Sequence, residues 1–239
     1  MPIPKRTHYS PEVYLRGFSC SGEKIWQTDK STNAAICTGV KNVAVIAHLY
    51  TPFVENRLAI FEAWYPELIS HLTAKRPLNV EIRGYLSALL GIMRARVPAQ
   101  LNQWEERLKQ FEGHLPLPRN ANMIGMLIEA EVAARVLRPS NFLIVTVKDG
   151  EPRLITSDNP AGRLFFPLTD SMLLMSLSES KKIGSEYAIA DGRYVKMVNK
   201  ITFDTAQNYI FSNSVPFAIG EKNILDDITG EKGLPAEYL

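Results

Sequence analysis

The sequence predicts an α+β fold: an N-terminal β-hairpin region, a central run of about four helices, and a C-terminal part of mainly antiparallel strands with a late helix. Three observations predict it. Short apolar and β-branched runs lie at both ends of the chain, apolar residues recur at helical spacing through its middle, and two Asp-Gly pairs punctuate its last hundred residues. No internal repeat and no Gly/Ser linker interrupts the chain, so residues 1–239 are read as a single domain with sub-regions 1–50, 51–139 and 140–239.

In the first sub-region, Val13 to Phe18 and Lys24 to Thr28 read as strands joined by the turn Ser19-Cys20-Ser21-Gly22, which makes a hairpin. A third short strand is expected from Val40 to Ile46, because Val40, Val43, Val45 and Ile46 are β-branched and Gly39 precedes them.

In the second, Leu58, Phe61, Tyr65, Leu68, Ile69 and Leu72 mark one helix, ended by Lys75-Arg76-Pro77. Asn79 is placed to cap the next, whose stripe is Ile82, Tyr85, Leu86, Leu89, Leu90 and Met93 before Pro98. Leu101, Trp104, Leu108 and Phe111 mark a third, closed by Gly113 and the loop His114 to Pro118, and Asn122 to Arg138 a fourth.

In the third, Phe142 to Val147 and Arg153 to Thr156 flank Asp149-Gly150, a pair that tolerates the positive φ of a hairpin turn. Strands follow at Arg163 to Leu168 and Met172 to Leu177. Asp191-Gly192 is read as a second hairpin joining Glu186 to Ala190 with Arg193 to Val198, which gives an antiparallel meander. Asn199 is read as the N-cap of a last helix to about Ser212, and Phe217 to Ile219 as a short strand.

Charge excludes a globally basic nucleic-acid binder. Net charge is +2, from 27 basic and 25 acidic residues. The balance drifts from nine Lys/Arg against six Asp/Glu over residues 1–76 to ten against thirteen over 139–239. The two cysteines, Cys20 and Cys37, have no metal-motif spacing and point to a reducing compartment, with a disulfide between them as the alternative. The start Met-Pro-Ile-Pro-Lys-Arg-Thr-His lacks a signal peptide's apolar run, and no stretch approaches the roughly 20 apolar residues of a membrane span. A cytoplasmic protein without membrane contact is expected.

The segment His8-Tyr9-Ser10-Pro11-Glu12-Val13-Tyr14-Leu15-Arg16-Gly17-Phe18 resembles the signature H-Y-x-P-x-x-Y-L-R-x-F of a largely bacterial family, the domain-of-unknown-function family 4238. The likeness continues through Trp26, Asp29, Lys41-Asn42, Tyr50, an arginine at Arg94 or Arg96, Ile155 to Pro160, and Pro167-Leu168. Glu12 stands where the family often has an amide, and Ser10 where it usually has an aliphatic residue. The resemblance selects positions and implies no reaction.

His8 is a candidate acid, base or metal ligand, since an imidazole titrates near 6.5; its alternative is to bond a neighbouring element. Arg16 is a candidate for a bidentate grip on phosphate or carboxylate, or else a salt bridge to Asp158. Asp158, at a strand end within Ser157-Asp158-Asn159-Pro160, is placed to act as base or metal ligand with Asn159 beside it; the same residues also form ordinary turns. Lys41 and Asn42 offer a cation and an amide. Arg94 and Arg96 complement a helix dipole, or serve as further cations. His48, His71 and His114 show no metal spacing, and neither a phosphate-cradling glycine loop nor a G-x-S-x-G elbow is present.

Two functions follow. The first is an enzyme of hydrolase or nuclease type acting on nucleic acid or a nucleotide: His8 and Asp158 catalyse, with Asp158 either a base or a ligand to a divalent metal, and Arg16, Lys41, Asn42 and Asn159 bind substrate. The alternative is a non-enzymatic ligand-binding or protein-interaction module in which these residues form a structural polar network.

Overall fold

Pro11 and the spacing of the apolar residues after it govern the first correction. In the computed structural model, which describes residues 6–110, 121–137, 141–160, 165–177 and 184–214, Val13 to Phe18 is helical. A two-residue strand β1 (Thr7–His8) leads through Pro11 into α1 (Glu12–Leu15) and a 3-10 turn over Arg16–Phe18. Tyr14, Leu15 and Phe18, fully buried, form an i, i+1, i+4 stripe that only a helical turn can present to one side. The hairpin forms one step later, from β2 (Lys24–Asp29) and β3 (Ala35–Gly39). Asp29 closes it by accepting the Ser31 and Thr32 N–H groups, and Asn33 takes the left-handed φ of 57°. The expected third strand is reduced to a 3-10 turn, Val40–Asn42, and the two-residue β4 (Val45–Ile46), which pairs with β1.

The helical run is longer by one than expected. The first helix divides into α2 (Pro52–Glu62), capped by Thr51, and α3 (Tyr65–Thr73), because Pro66 can occupy only a first turn. Helix α4 (Val80–Ala95) begins at Asn79, whose Oδ1 accepts the Ile82 N–H at 2.9 Å as the sequence predicts. Helices α5 (Pro98–Lys109) and α6 (Ala121–Leu137) follow. The expected loop His114 to Pro118 and strand Phe217 to Ile219 lie outside the described residues.

Helices α4 and α6 cross closely at Gly91, where an added Cβ would run into the Ala130 carbonyl oxygen and come within 3.1 Å of the Ala134 nitrogen. Backbone cannot step aside as a flexible side chain can. Gly91→Val is therefore expected to lower stability by about 2–3 kcal/mol in urea unfolding, the upper range for overpacking; an unchanged midpoint would show that the helices do not meet there.

Two four-stranded sheets complete the fold. One has the order β7 (Phe165–Thr169), β8 (Met172–Leu177), β5 (Asn141–Val147), β9 (Tyr187–Ala190). The other has the order β3, β2, β10 (Tyr209–Ser212), β6 (Thr156–Ser157). The antiparallel meander is corrected at β9, which runs parallel to β5. Gly150 does take a positive φ of 85°, but the chain then leaves the sheet. The Asn199 side chain bonds the Ile155 N–H and the Arg153 carbonyl, occupying groups that a β5 hairpin partner would need. Asp191 opens a helix instead of a hairpin: its Oδ1 accepts the Tyr194 N–H at 3.0 Å and starts α7 (Gly192–Thr205), which buries Val195, Val198 and Thr202. Asn199 thus lies inside α7, and the chain after it becomes strand β10.

One apolar cluster unites residues from all three sub-regions, among them Tyr14, Phe18, Leu68, Leu86, Phe142, Phe166 and Val195. Tyr14 also joins them by hydrogen bonds: its hydroxyl donates to the Pro167 carbonyl at 2.9 Å and lies 2.6 Å from Thr156 Oγ1.

Candidate functional site

Strand β1 is held at its edge by Thr7, whose hydroxyl donates to the Ile46 carbonyl at 2.8 Å and accepts the Leu49 N–H at 2.9 Å. That fixes the His8 backbone beside the end of α4. There Val97-Pro98 stops the helix, leaving Arg96 as its C-cap. The Arg96 side chain turns inward and is only 2% exposed. Its Nη1 pairs with Glu62 Oε1 at 2.6 Å and its Nη2 donates to the His8 carbonyl at 2.5 Å. The guanidinium carbon stands 5.4 Å from the centre of the Tyr50 ring, within cation–π range. Burial alone would lower Arg96, but Tyr50 and Glu62 outweigh it and keep the guanidinium charged. Arg96 therefore ties β1, the start of α2 and the end of α2 to α4.

Three buried polar atoms in this cluster make no well-aligned hydrogen bond among the described residues, His8 Nδ1, the Tyr50 hydroxyl oxygen and Arg96 Nε, although Tyr50 and Arg96 are close enough to act on each other. Such a group costs about 1–3 kcal/mol, and its persistence asks for a reason such as a catalytic or ligand-binding role. Burial lowers the His8 pKa; Glu12, a hydrogen bond with the Val43 backbone and Glu62 oppose it, and Arg96 adds to the lowering. The imidazole is thereby neutral at pH 7, with a lone pair available for a proton. Burial pushes the Tyr50 phenol up, the Arg96 charge opposing it, so the phenol keeps its proton. Burial also raises the Glu55 carboxyl, against the Arg96 charge and with help from Glu62. The cluster thus sets one full cation against Glu62 and a carboxyl driven toward its neutral form.

The other sequence-predicted residues lie elsewhere. Asp158, 1% exposed, accepts three successive backbone N–H groups: Gln207 on Oδ1 at 2.9 Å, and Asn208 and Tyr209 on Oδ2 at 2.7 and 3.2 Å. Its own N–H donates to the Tyr209 carbonyl at 3.0 Å, so Asp158 clamps the entry to β10. Asn159 donates to the Thr205 carbonyl in the same clamp. Tyr9, next to His8, is raised by burial and then by the Asp158 charge, whereas Glu62 and Arg96 act on His8. Alternation along the extended chain accounts for that division.

Arg16 does not reach Asp158. It pairs with Glu12 at 2.6 Å on the surface and donates to the Gly22 carbonyl at 2.8 Å. Lys41 and Asn42 are exposed in the 3-10 turn, where Arg6 donates to the Lys41 carbonyl and to Asn42 Oδ1. Arg94 is exposed, consistent with a last-turn cation, while Arg96 is the buried one. No group of three or more His, Cys, Asp or Glu side chains among the described residues could hold a metal ion, and none of the described helices is long and apolar enough to cross a membrane.

Sequence reasoning singled out His8 but not Glu55 or Glu62, which read as ordinary helix-surface acids. One usable signal lay in Arg96-Val97-Pro98, where an arginine at a proline-stopped, apolar helix end faces the side of Met93 rather than the solvent.

An α+β protein organised around a buried arginine and carrying a neutral histidine is the class that these features define. The chain belongs to the family described as "Protein of unknown function (DUF4238)", which matches residues 6–215 and so takes in every residue of the cluster. Neither the curated proteins nor the solved structures contain a match.

Proposed function

We propose that the chain is an enzyme of hydrolase type that works on a phosphate-containing substrate at the Arg96 cluster. The observation that supports this reading is the gathering in one buried cluster of His8 Nδ1, the Tyr50 hydroxyl and Arg96 Nε, none of them in a well-aligned hydrogen bond among the described residues. Arg96 Nε–H and the Tyr50 hydroxyl are donors suited to an oxyanion, and neutral His8 is suited to accept a proton. Charge narrows the substrate. One guanidinium opposed by Glu62 suits a singly charged phosphodiester better than a dianion, and the depth of the cluster suits a small diester, a cyclic nucleotide, better than a polymer. Entry requires opening of the β1–β4 pair, only two residues long and so among the easier elements to open. Arg6 and Lys41 place exposed cations at the outer end of that pair for a charged substrate. Asp158 and Asn159 then act through position and not by contact with substrate. In the cytoplasmic setting proposed here Cys20 and Cys37, exposed and close enough for their side chains to interact, are thiols and not a disulfide.

A second reading, a non-enzymatic ligand-binding or interaction module, is favoured by one observation: the polar atoms of Asp158, Asn159 and Arg16 are spent on the fold.

Thermal unfolding of the parent and His8→Ala with nucleotides, short DNA and RNA, and divalent metals separates the two. On the enzymatic reading a nucleotide at a hundredfold excess over its dissociation constant stabilises the parent by about 2.7 kcal/mol, and phosphodiester hydrolysis is lost in His8→Ala while nucleotide binding persists. A nucleotide shift without turnover in the parent would favour the second reading, and no shift from any ligand would remove the cluster as a phosphate site.

A further inference from the structure

The chain has two cysteines, Cys20 and Cys37, and the fold brings them together beside the β2–β3 hairpin. The strand register sets Gly39 opposite Lys24 and Cys37 opposite Trp26, so Lys24, Trp26 and Cys37 project from one face of the sheet. Cys20 lies against the same stretch of β2: its N–H and its thiol both donate to the Lys24 carbonyl, at 2.8 and 3.2 Å. The two sulfurs end close enough to act on each other.

Both thiols are held, and both are open. Three hydrogen bonds pin the turn that carries Cys20. Arg16 donates to the Gly22 carbonyl at 2.8 Å, and the Ser19 hydroxyl donates to the Arg16 carbonyl at 2.7 Å while accepting the Gly22 N–H at 2.9 Å. Cys37 is fixed by strand pairing. A free cysteine usually packs as a small buried hydrophobe, yet both of these are exposed. Packing does not account for the pair, whereas two restrained, neighbouring thiols have the proximity that a sulfur–sulfur bond needs.

The two are not equivalent. Desolvation and then the Cys20 sulfur raise the Cys37 thiol above its ordinary range, with the Lys24 ammonium opposing. Cys37 is therefore the poorer source of thiolate, and the first attack falls to Cys20.

We propose that Cys20 and Cys37 are a reactive dithiol that takes a small disulfide of the glutathione class as its substrate and is closed by it into an intramolecular disulfide. The Cys20 thiolate attacks one sulfur of the small disulfide, whose S–S bond breaks and releases one thiolate. The Cys37 thiolate then attacks the Cys20 sulfur of the mixed disulfide and expels the second. Two protein thiols are oxidised, one small disulfide is reduced to two thiols, and the two cysteine protons pass through water to the departing thiolates. Excess reduced thiol reverses both steps. Closure ties the turn after Phe18 to the strand that leads into Val40–Asn42 and β4.

The test equilibrates the reduced full chain with defined ratios of reduced and oxidised glutathione, quenches with acid, alkylates the remaining thiols and weighs the products by mass spectrometry, natively and in concentrated urea. The native product is expected to be a monomer lighter by two hydrogens. Its closure constant should exceed that of the urea-unfolded chain by about tenfold or more, inside the roughly hundredfold that the chain-entropy model allows for a loop of this length. Cys37→Ser should stop at a single glutathione adduct on Cys20, and Cys20→Ser should form its adduct on Cys37 more slowly. Both variants should melt with the reduced parent, since both positions are exposed. Two thiols left free, a parent carrying two glutathiones, a disulfide linking two chains, or a closure constant no larger than in urea would each overturn the site. An adduct that forms faster on Cys37 than on Cys20 would overturn the order of attack.

Discussion

Arg96→Met is expected to lower the free energy of unfolding by about 3 kcal/mol, at the lower end of the range for breaking a buried ion pair. Methionine keeps much of the apolar stem, so the loss reports the guanidinium. Glu62 is 29% exposed and can recover some hydration, which tempers the cost of leaving it unpaired. The His8 carbonyl, however, loses a charge-assisted bond, and Tyr50 loses its cation. Adding Glu62→Leu to Arg96→Met should recover part of the stability, because the orphaned carboxylate is then absent. Urea unfolding of the two single variants and the double variant measures the coupling. A loss below about 1 kcal/mol for Arg96→Met would mean that the pair behaves like a surface salt bridge and does not organise the β1–α4 junction.

The signature that carried the family resemblance reads, in the structure, chiefly as a device for assembling the fold. Tyr14 joins Thr156 and Pro167 through its hydroxyl while its ring stacks on Phe166 at 5.4 Å. Leu15 and Phe18 enter the core, and the Gly17 carbonyl accepts the Asp170 N–H at 2.8 Å. Three residues of the signature, with the Gly17 backbone between them, therefore hold N-terminal chain against C-terminal strands. His8 stands apart, because its Nδ1 is buried without a well-aligned partner among the described residues.

The α+β class and the order of its three sub-regions were legible because burial imposes clear periods on long elements. The α4 stripe and the Asn79 cap are local features, and both agree with tertiary packing. Short segments were less legible. In Val13 to Phe18 the β-favouring residue types suggested a strand, but Pro11 and the buried i, i+1, i+4 trio favoured a helical turn. Asp149-Gly150 and Asp191-Gly192 both carried turn chemistry, yet each next segment found a different partner: Asn199 for Arg153 and Ile155, the Asp191 cap for α7. Pairing at that distance cannot be read from dipeptides. The same limit applied to the site. His8 was visible as an isolated titratable group, while Arg96 resembled any last-turn arginine until the fold brought Glu62, Tyr50 and the His8 carbonyl around it.

Asp158→Ala provides the sharper test of what the S-D-N-P segment does, since its two readings predict opposite outcomes for the isosteric variant. The three amides that Asp158 holds lie between α7 and β10, and β10 is the strand that joins β2 to β6. Removing the carboxylate leaves three donors to find water or remain unpaired, at about 1–3 kcal/mol for each that stays buried. Partial hydration of this part-buried turn brings the expected total to about 3–4 kcal/mol. Asp158→Asn should still cost about 1–2 kcal/mol, because the amide keeps one acceptor oxygen but turns an NH₂ group toward a donor. Hydrogen exchange should quicken first at Gln207, Asn208 and Tyr209 in both variants. If instead Asp158→Asn unfolds like the parent, with those amides equally protected, and abolishes turnover, Asp158 is a catalytic group and the clamp is incidental. A structural clamp allows no such separation: the stability loss and the local exchange must appear together, because the same two oxygens produce both.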